Sequence, residues 1–380
     1  MSLAFEAKPL GAFSPTAFAT AAKKTCVPFL EFFAGSGLVS YALAPFFQAV
    51  WANDVCPKKA AVFMTNHAGQ PFELGSIADV HGAALPFAVL SWASFPCQDL
   101  SLAGNGKGIR AQRSGLVWEW LRVMDEMPRR PPILAAENVV GLMSAAQGDH
   151  YKELHNALAQ RGYRVGAMLL DAVHWLPQSR PRIFIVAVDQ TIKIPPALCA
   201  EGPTWTHPAA VQRAATRLEG WIWWNLPKPK KRSLTLSQIV DFDIPCHNAA
   251  ISKRNLGMVP DAHKHRLEEC GLQVVPGYKR IRHGKQVLEL RFDDVAGCLR
   301  TPAGGSSRQY LVIKKGGAWR TRILSPREAA RLMGVPEDFR LPGSFNDGYK
   351  AMGDAIAAPV VSHLAKHLLS PLAAAYDDIH

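Results

Sequence analysis

The chain has 380 residues, 48% hydrophobic and 19% charged, a balance that supports a sizeable core and argues against intrinsic disorder. With 43 basic against 31 acidic residues its formal charge is +12 and its pI about 9.5, which favours a polyanionic partner. Seven scattered cysteines, at 26, 56, 97, 199, 246, 270 and 298, include no Cys-x-x-Cys pair; this argues against a disulfide framework and a thiolate metal site and points to a reducing compartment.

Short apolar runs alternate with helix-like stretches through the first half. Residues 26–33 read as a strand, followed by the turn Phe33-Ala34-Gly35-Ser36-Gly37 and a helix over 38–47. A strand at 49–53, a helix at 57–67 and a strand at 87–92 come next. A helix over 115–127, a strand over 132–136, a helix over 149–161 and a strand over 182–188 complete the rhythm. Alternation of this kind predicts an α/β fold, a doubly wound and mostly parallel sheet with helices on both faces. Beyond Gln190 the rhythm gives way to Pro-Pro and Gly-Pro pairs, the cluster Trp221, Trp223 and Trp224, and the basic run Lys228-Pro229-Lys230-Lys231-Arg232. A second, smaller domain is expected there. The stretches Tyr278–Lys285 and Thr301–Arg308 are loop-like and rich in donors, as contact with phosphates or bases requires. Ser325-Pro326 predicts a capped helix, and the apolar stretch 354–370 is expected to pack back on the first domain. No segment approaches about twenty uninterrupted apolar residues, so no membrane entry is expected.

The glycine turn lets backbone approach a ligand at a helix N-terminus. Asp54, nineteen residues after Gly35, ends the next strand, where a carboxylate can accept ribose hydroxyls. Because no third glycine follows, a nucleoside cofactor without a pyrophosphate fits better, and S-adenosylmethionine is the candidate. The structural alternative is a simple tight turn, with Asp54 capping the helix that starts near Pro57. In Ser94-Phe95-Pro96-Cys97-Gln98 a thiol follows an apolar strand and a rigid proline; it becomes a good nucleophile only in a positive field. Glu137-Asn138-Val139 closes a second strand, and Gln178-Ser179-Arg180-Pro181-Arg182 supplies two guanidinium groups. Thiol, carboxyl and guanidinium together suit attack on an electron-poor heteroaromatic ring such as cytosine. Taken singly, each has a structural alternative: an inert buried cysteine, a helix-capping glutamate, a solvated strand edge.

These blocks resemble the cytosine-C5 DNA methyltransferases, in the family's order, from about Val27 to Ala365. They continue with Leu100-Ser101, Arg113-Ser114-Gly115-Leu116, Gly162-Tyr163, Pro177 to Arg182, Pro326 to Pro336 and Tyr349 to Asp354. The resemblance implies a Rossmann-like S-adenosylmethionine-dependent catalytic domain, residues 1–190 and 344–380, and a target-recognition domain, residues 191–343. It implies that Cys97 adds to C6 of a flipped cytosine while Pro96 shapes the pocket. Glu137 would meet N3 and the exocyclic amine, Arg182 the O2, and Arg180 a nearby phosphate or the cysteine loop. The cofactor would lie on Phe33, Ala34, Gly35, Ser36, Gly37, Asp54, Val55, Ser76, Ile77, Pro96, Asp354 and Ala355. Contacts to DNA are expected from Gln98, Ser101, Ala103, Arg180, Lys230, Lys231, Arg232, Arg300, Thr301, Gly304, Gly305, Ser306, Ser307 and Arg308. No metal is expected.

Several positions depart from the family pattern. Glu31 replaces an aspartate and Asp54 a glutamate, each keeping its charge. Ser76 replaces an aspartate that meets the adenine amine, with Asp79 close enough in sequence to compensate. Gly353-Asp354-Ala355 replaces Gly-Asn-Ser, and Trp175-Leu176 replaces Gly-Val. The expected partner is double-stranded DNA, bound by a monomer in the cytoplasm, with any cognate restriction endonuclease acting separately. Two alternatives stay open: a DNA-binding protein whose scaffold no longer catalyses, and a tRNA cytosine methyltransferase.

Overall fold

Central strands covered on both faces bury nearly all their side chains, and β1 (Val27–Phe32) accordingly buries its last four residues, apolar except for Glu31. The computed structural model describes residues 26–96, 115–216, 218–301 and 308–377. After β1 come α1 (Leu38–Leu43), β2 (Phe47–Asp54), α2 (Pro57–Asn66), β3 (Phe72–Leu74) and β4 (Leu90–Ala93). Then follow α3 (Leu116–Glu126), β5 (Ile133–Val139), α4 (Gly141–Ser144), α5 (Asp149–Gln160), β6 (Tyr163–Asp171) and β7 (Pro181–Asp189). The strands form one seven-stranded sheet in the order β3-β2-β1-β4-β5-β7-β6. All pairings are parallel except those of β7, which runs against both β5 and β6. The strand order reverses between β1 and β4, and the carboxyl ends flanking such a reversal open onto the crevice where ligands bind in open α/β sheets.

Alternate residues of each strand enter different cores. Phe29, Trp92, Ala135 and Phe184 face one core, and Leu30, Phe32, Leu134 and Ile185 face the other, where Trp120, Met124, Tyr151 and Leu154 of α3 and α5 cover them.

The doubly wound expectation holds, with three local differences. The first helix stops at Leu43 rather than at residue 47, because Phe47 already pairs with Val27 as the start of β2. Strand β5 runs three residues past the expected end, held by antiparallel pairing as far as Val139 opposite Arg182. The third difference is two unpredicted strands, β3 and β6. The former is three residues long with two exposed, and the latter is a continuous nine-residue strand whose apolar sequence is broken by Gly166. That glycine is a packing requirement: a Cβ there would stand 2.2 Å from the Ile222 carbonyl and 2.6 Å from the Trp224 indole nitrogen.

The second region opens with β8 (Cys199–Ala200), α6 (Ala209–Ala215) and β9 (Trp223–Trp224), the two strands pairing antiparallel. Helices α7 (Leu236–Ile239), α8 (Ala249–Gly257) and α9 (Asp261–Glu269) lead into β10 (Val274–Arg282), β11 (Lys285–Leu290), β12 (Gln309–Lys315) and β13 (Ala318–Ile323). These last four form an antiparallel sheet ordered β11-β10-β12-β13. One face packs Val275, Leu288 and Val312 against Val259 and Leu267, while Val274, Leu311 and Ile313 join the first core. The chain ends in α10 (Pro326–Leu332), α11 (Phe345–Gly353), α12 (Ala358–Leu364), a π-turn over Ala365–Leu369, and α13 (Ser370–Asp377). As expected, this tail returns to the first sheet: Ser362 donates to the Ala42 carbonyl of α1 at 3.1 Å.

Candidate active site at the sheet's carboxyl edge

The turn after β1 is conformationally demanding, with Phe33, Gly35 and Gly37 all at positive φ (58°, 58° and 81°). A non-glycine residue in that region stores about 1–3 kcal/mol, and such strain clusters at functional sites. Gly37 is fixed twice over, since a Cβ would also stand 2.5 Å from the His67 ring. Ala34 and Ser36 are buried, and the Ser36 hydroxyl donates to the Ala351 carbonyl of α11 at 3.2 Å. The turn is locked by Asp54, whose two carboxylate oxygens accept from the Gly35 and Cys56 N–H groups at 2.8 Å each. Asp54 does not cap α2, whose N-cap Cys56 has no side-chain cap, but it ties down that residue's N–H, and each oxygen keeps a second lone pair for a hydroxyl. Val55 beside it is 68% exposed, an apolar surface at the mouth of a polar turn. Ile77 is buried below, and Ser76 accepts from Ala78 N–H at 3.2 Å, leaving its own proton to donate.

Asp354 makes an ion pair with Lys59 at 2.8 Å, and Ala355 is half-buried beside it. Burial opposes the charge on Lys59, but Asp354 outweighs it and holds the ammonium above its usual range. The carboxylate in place of the family's asparagine is thus matched by a cation from α2. Sequence reading missed Lys59; the unexplained acid at 354 was the signal that a partner existed.

Below the turn, Glu31 is fully buried, with one oxygen accepting from the Ser40 hydroxyl and the other without a hydrogen-bond partner among the described residues. Burial pushes its carboxyl up from 4.5 to about 8. The unfolded chain loses this proton above its ordinary value while the folded chain keeps it, so the group costs stability as pH rises from about 4.5 to about 8. The slope is roughly 1.4 kcal/mol per pH unit at its steepest. Glu31→Gln is expected to remove it. Denaturant unfolding of both proteins at about pH 5 and about pH 8 checks this, and a stability difference that stays constant between them would refute the assignment.

The candidate catalytic edge is built by β4, β5 and β7. Trp92 donates to Ser94 at 2.9 Å, and the buried Asn138 amide donates to the Phe95 carbonyl at 3.1 Å, so the segment ending at half-buried Pro96 is tied to the end of β5. Cys97, Gln98, Ser101, Ala103, Gly304, Gly305, Ser306 and Ser307 lie outside the described residues. Antiparallel register sets Val139 opposite Arg182 and Glu137 opposite Phe184, which makes Glu137 and Arg182 diagonal neighbours on one face. Their side chains meet at 2.9 Å, Arg182 Nε to Glu137 Oε1, with exposures of only 15% and 13%. Burial raises the Glu137 carboxyl, and Arg182 and Arg180 offset this only in part, so its pKa stands above the usual carboxylate value. A carboxyl so held can retain or share a proton with a ring nitrogen.

Of the two expectations for Arg180, burial corrects the phosphate contact, and the cysteine loop from residue 97 lies outside the described residues. The Arg180 side chain is 3% exposed and donates to the carbonyls of Leu299 (2.9 Å), Gly353 (3.0 Å) and Ala355. Its backbone N–H is held by Asp171 at 2.7 Å, another residue that the sequence reading overlooked. The guanidinium is thereby a bracket joining β7, the segment at Leu299 and the Gly353–Ala355 turn.

On the expected DNA side, Lys230 and Lys231 are exposed, whereas Arg232 is half-buried on the carbonyls of Val173 and Leu234. Arg300 and Thr301 are exposed, and Arg308 bonds Asn346 of α11 at 2.5 Å. Among the described residues no group of His, Cys, Asp and Glu could hold a metal, and no helix is long and apolar enough to cross a membrane.

This strand order, with β7 reversed and the glycine turn beside the reversal point, is a methyltransferase fold. The chain superposes on the Entamoeba histolytica methyltransferase EhMeth with a TM-score of 0.64 at 13% identity, covering 94% of this chain and 100% of that one. For the S. pombe Dnmt2 methyltransferase the TM-score is 0.60 at 19% identity, covering 91% and 99%. Sequence narrows the class: residues 27–370 match the C-5 cytosine-specific DNA methylase family, and the chain belongs to it. It is 23% identical to the type II methyltransferase M.HhaI of Haemophilus parahaemolyticus, over 92% of this chain and 96% of that protein. It is also 24% identical to the type II methyltransferase M.MspI of Moraxella sp, over 84% of this chain but only 65% of that longer protein.

Proposed function

We propose that this chain methylates C5 of cytosine in double-stranded DNA, acting on a base turned out of the helix. The buried Glu137–Arg182 pair, next to the tethered Phe95–Pro96 segment, is the observation that carries the reading. Cys97 adds its thiolate to C6, and the ring electrons move toward C5. Glu137 holds a proton at N3 and accepts from the exocyclic amine, while Arg182 donates to O2, so charge arising on the ring meets fixed partners in a poorly solvated site. Once C5 carries the added methyl group, loss of its proton to a base expels the thiolate, restoring the ring's double bond and Cys97.

The residues present fit S-adenosylmethionine. Space is open over Gly35, where a Cβ would meet nothing nearer than the Phe33 carbonyl at 4.0 Å, and Asp54 and Val55 offer a polar and an apolar contact for a nucleoside. When bound, S-adenosylmethionine supplies an electrophilic methyl group. Phe33, Ala34, Gly35, Ser36, Gly37, Asp54, Val55, Ser76 and Ile77 would hold its nucleoside end, and Pro96, Asp354 and Ala355 its other end. The stretch 191–343 reads the target sequence, with exposed Lys230, Lys231, Arg300 and Thr301 on the polyanion.

The test is transfer of labelled methyl groups from S-adenosylmethionine to unmethylated duplex DNA and to tRNA in parallel, together with trapping on 5-fluorocytosine DNA. Label recovered as 5-methylcytosine in DNA, with a covalent protein–DNA complex, is expected. Label in tRNA alone would replace the reading with the RNA one. Failure of the folded protein to bind the cofactor would leave only a DNA-binding scaffold.

A further inference from the structure

Cys298 has no part in the chemistry above, yet its sulfur sits between the two arginines of the site. Sγ is 3.4 Å from Arg180 Nη1 and 3.9 and 4.0 Å from Arg182 Nη2 and Nη1. Arg182 in turn holds Glu137, and Arg180 holds the Gly353 carbonyl at 3.0 Å. The sulfur therefore links the guanidinium that braces the carboxyl to the one that fixes the turn on the cofactor side.

Two guanidinium groups this close repel each other, and burial strengthens the repulsion. Burial above all, and then Arg182, lowers the tendency of Arg180 to stay charged. A polarisable acceptor between them relieves this. Burial pushes the Cys298 thiol up, but Arg180 and Arg182 more than offset it, so its pKa falls below the usual value. The backbone that carries the sulfur is held from three directions. Tyr278 donates to the Cys298 carbonyl at 2.8 Å, Gly297 N–H to the Gln309 side chain at 2.9 Å, and Leu299 N–H to the Gln178 side chain at 3.3 Å.

We propose that Cys298 is a positioning residue: it accepts from both guanidinium groups and so fixes the orientation in which Arg182 and Glu137 meet the target base. The inference rests on the methyltransferase reading, and the experiment separates the two. Methyl transfer to DNA is measured for the wild type, Cys298→Ala and Cys298→Ser, with thermal unfolding as the control for folding. Cys298→Ala is expected to lower kcat about 10- to 100-fold, the scale of a small misplacement of catalytic groups, with KM for S-adenosylmethionine within about twofold. Cys298→Ser, whose hydroxyl oxygen can accept from both arginines, is expected to recover to within about threefold of the wild type. A folded Cys298→Ala with wild-type kcat, or a folded Cys298→Ser as slow as Cys298→Ala, would overturn the positioning role while leaving the function intact. A wild type that methylates no DNA would overturn both.

Discussion

Replacing Cys97 by serine is expected to lower methyl transfer to DNA by about 10³-fold or more and to abolish the covalent complex with 5-fluorocytosine DNA. A thiol near pKa ~8.5 ionises readily in a positive field, whereas a serine hydroxyl at the same place stays protonated and is a poor nucleophile toward an aromatic carbon. The surrounding scaffold would not change: Pro96 follows a carbonyl tied to Asn138, and the Glu137–Arg182 pair is formed by β5 and β7 without the thiol. Duplex binding and cofactor binding should therefore survive while turnover is lost. Single-turnover transfer assays with gel-shift controls check this. Residual activity within about tenfold of the wild type would mean that position 97 is structural and that the nucleophile lies elsewhere.

The second large effect concerns stability. Arg322 on β13 and Glu328 on α10 form a two-pronged ion pair, Nη2–Oε1 at 2.5 Å and Nη1–Oε2 at 2.7 Å, with side-chain exposures of 3% and 0%. Glu328 also accepts from the N–H groups of Ser325 (2.7 Å) and Asp241 (2.9 Å), so one carboxylate closes the helix cap and joins the second region to the tail. Glu328→Ala would leave a guanidinium and two backbone donors buried without this acceptor. The expected loss is about 3–5 kcal/mol, the range for breaking one side of a buried pair. Urea unfolding near neutral pH measures it. A loss below about 1 kcal/mol would show that the pair is solvated or that the site collapses around the gap. Glu328→Gln, which keeps acceptor capacity but not charge, should fall between.

These two cases differ in how far the sequence alone foresees them. The proposal for Cys97 comes from its neighbours in sequence, a strand and a proline before it and ordered blocks after it. The helix cap at Ser325-Pro326 was legible for the same reason, but Arg322 was not: nothing local says that an arginine in a strand will be buried against a glutamate on the next helix. Arg180 and Arg182 show the same limit within three residues. Both read as guanidinium groups facing the substrate, Arg182 toward the base and Arg180 toward a phosphate or the cysteine loop, yet register places Arg182 beside Glu137 and turns Arg180 inward onto carbonyls.

By itself the sequence determined the alternating α/β rhythm, the glycine turn with its acidic partner, and the order of the functional blocks, because periodicity, turn chemistry and spacing are local properties of a chain. Only the tertiary structure decided that β7 runs antiparallel, that β5 extends to Val139, and that Lys59 meets Asp354 across α2 and α11. It also decided that Cys298 lies between two arginines. Each of these depends on which distant segments share a desolvated space, where one neighbouring charge or acceptor changes what a side chain does, and that neighbour is set by strand register and packing rather than by adjacency along the chain.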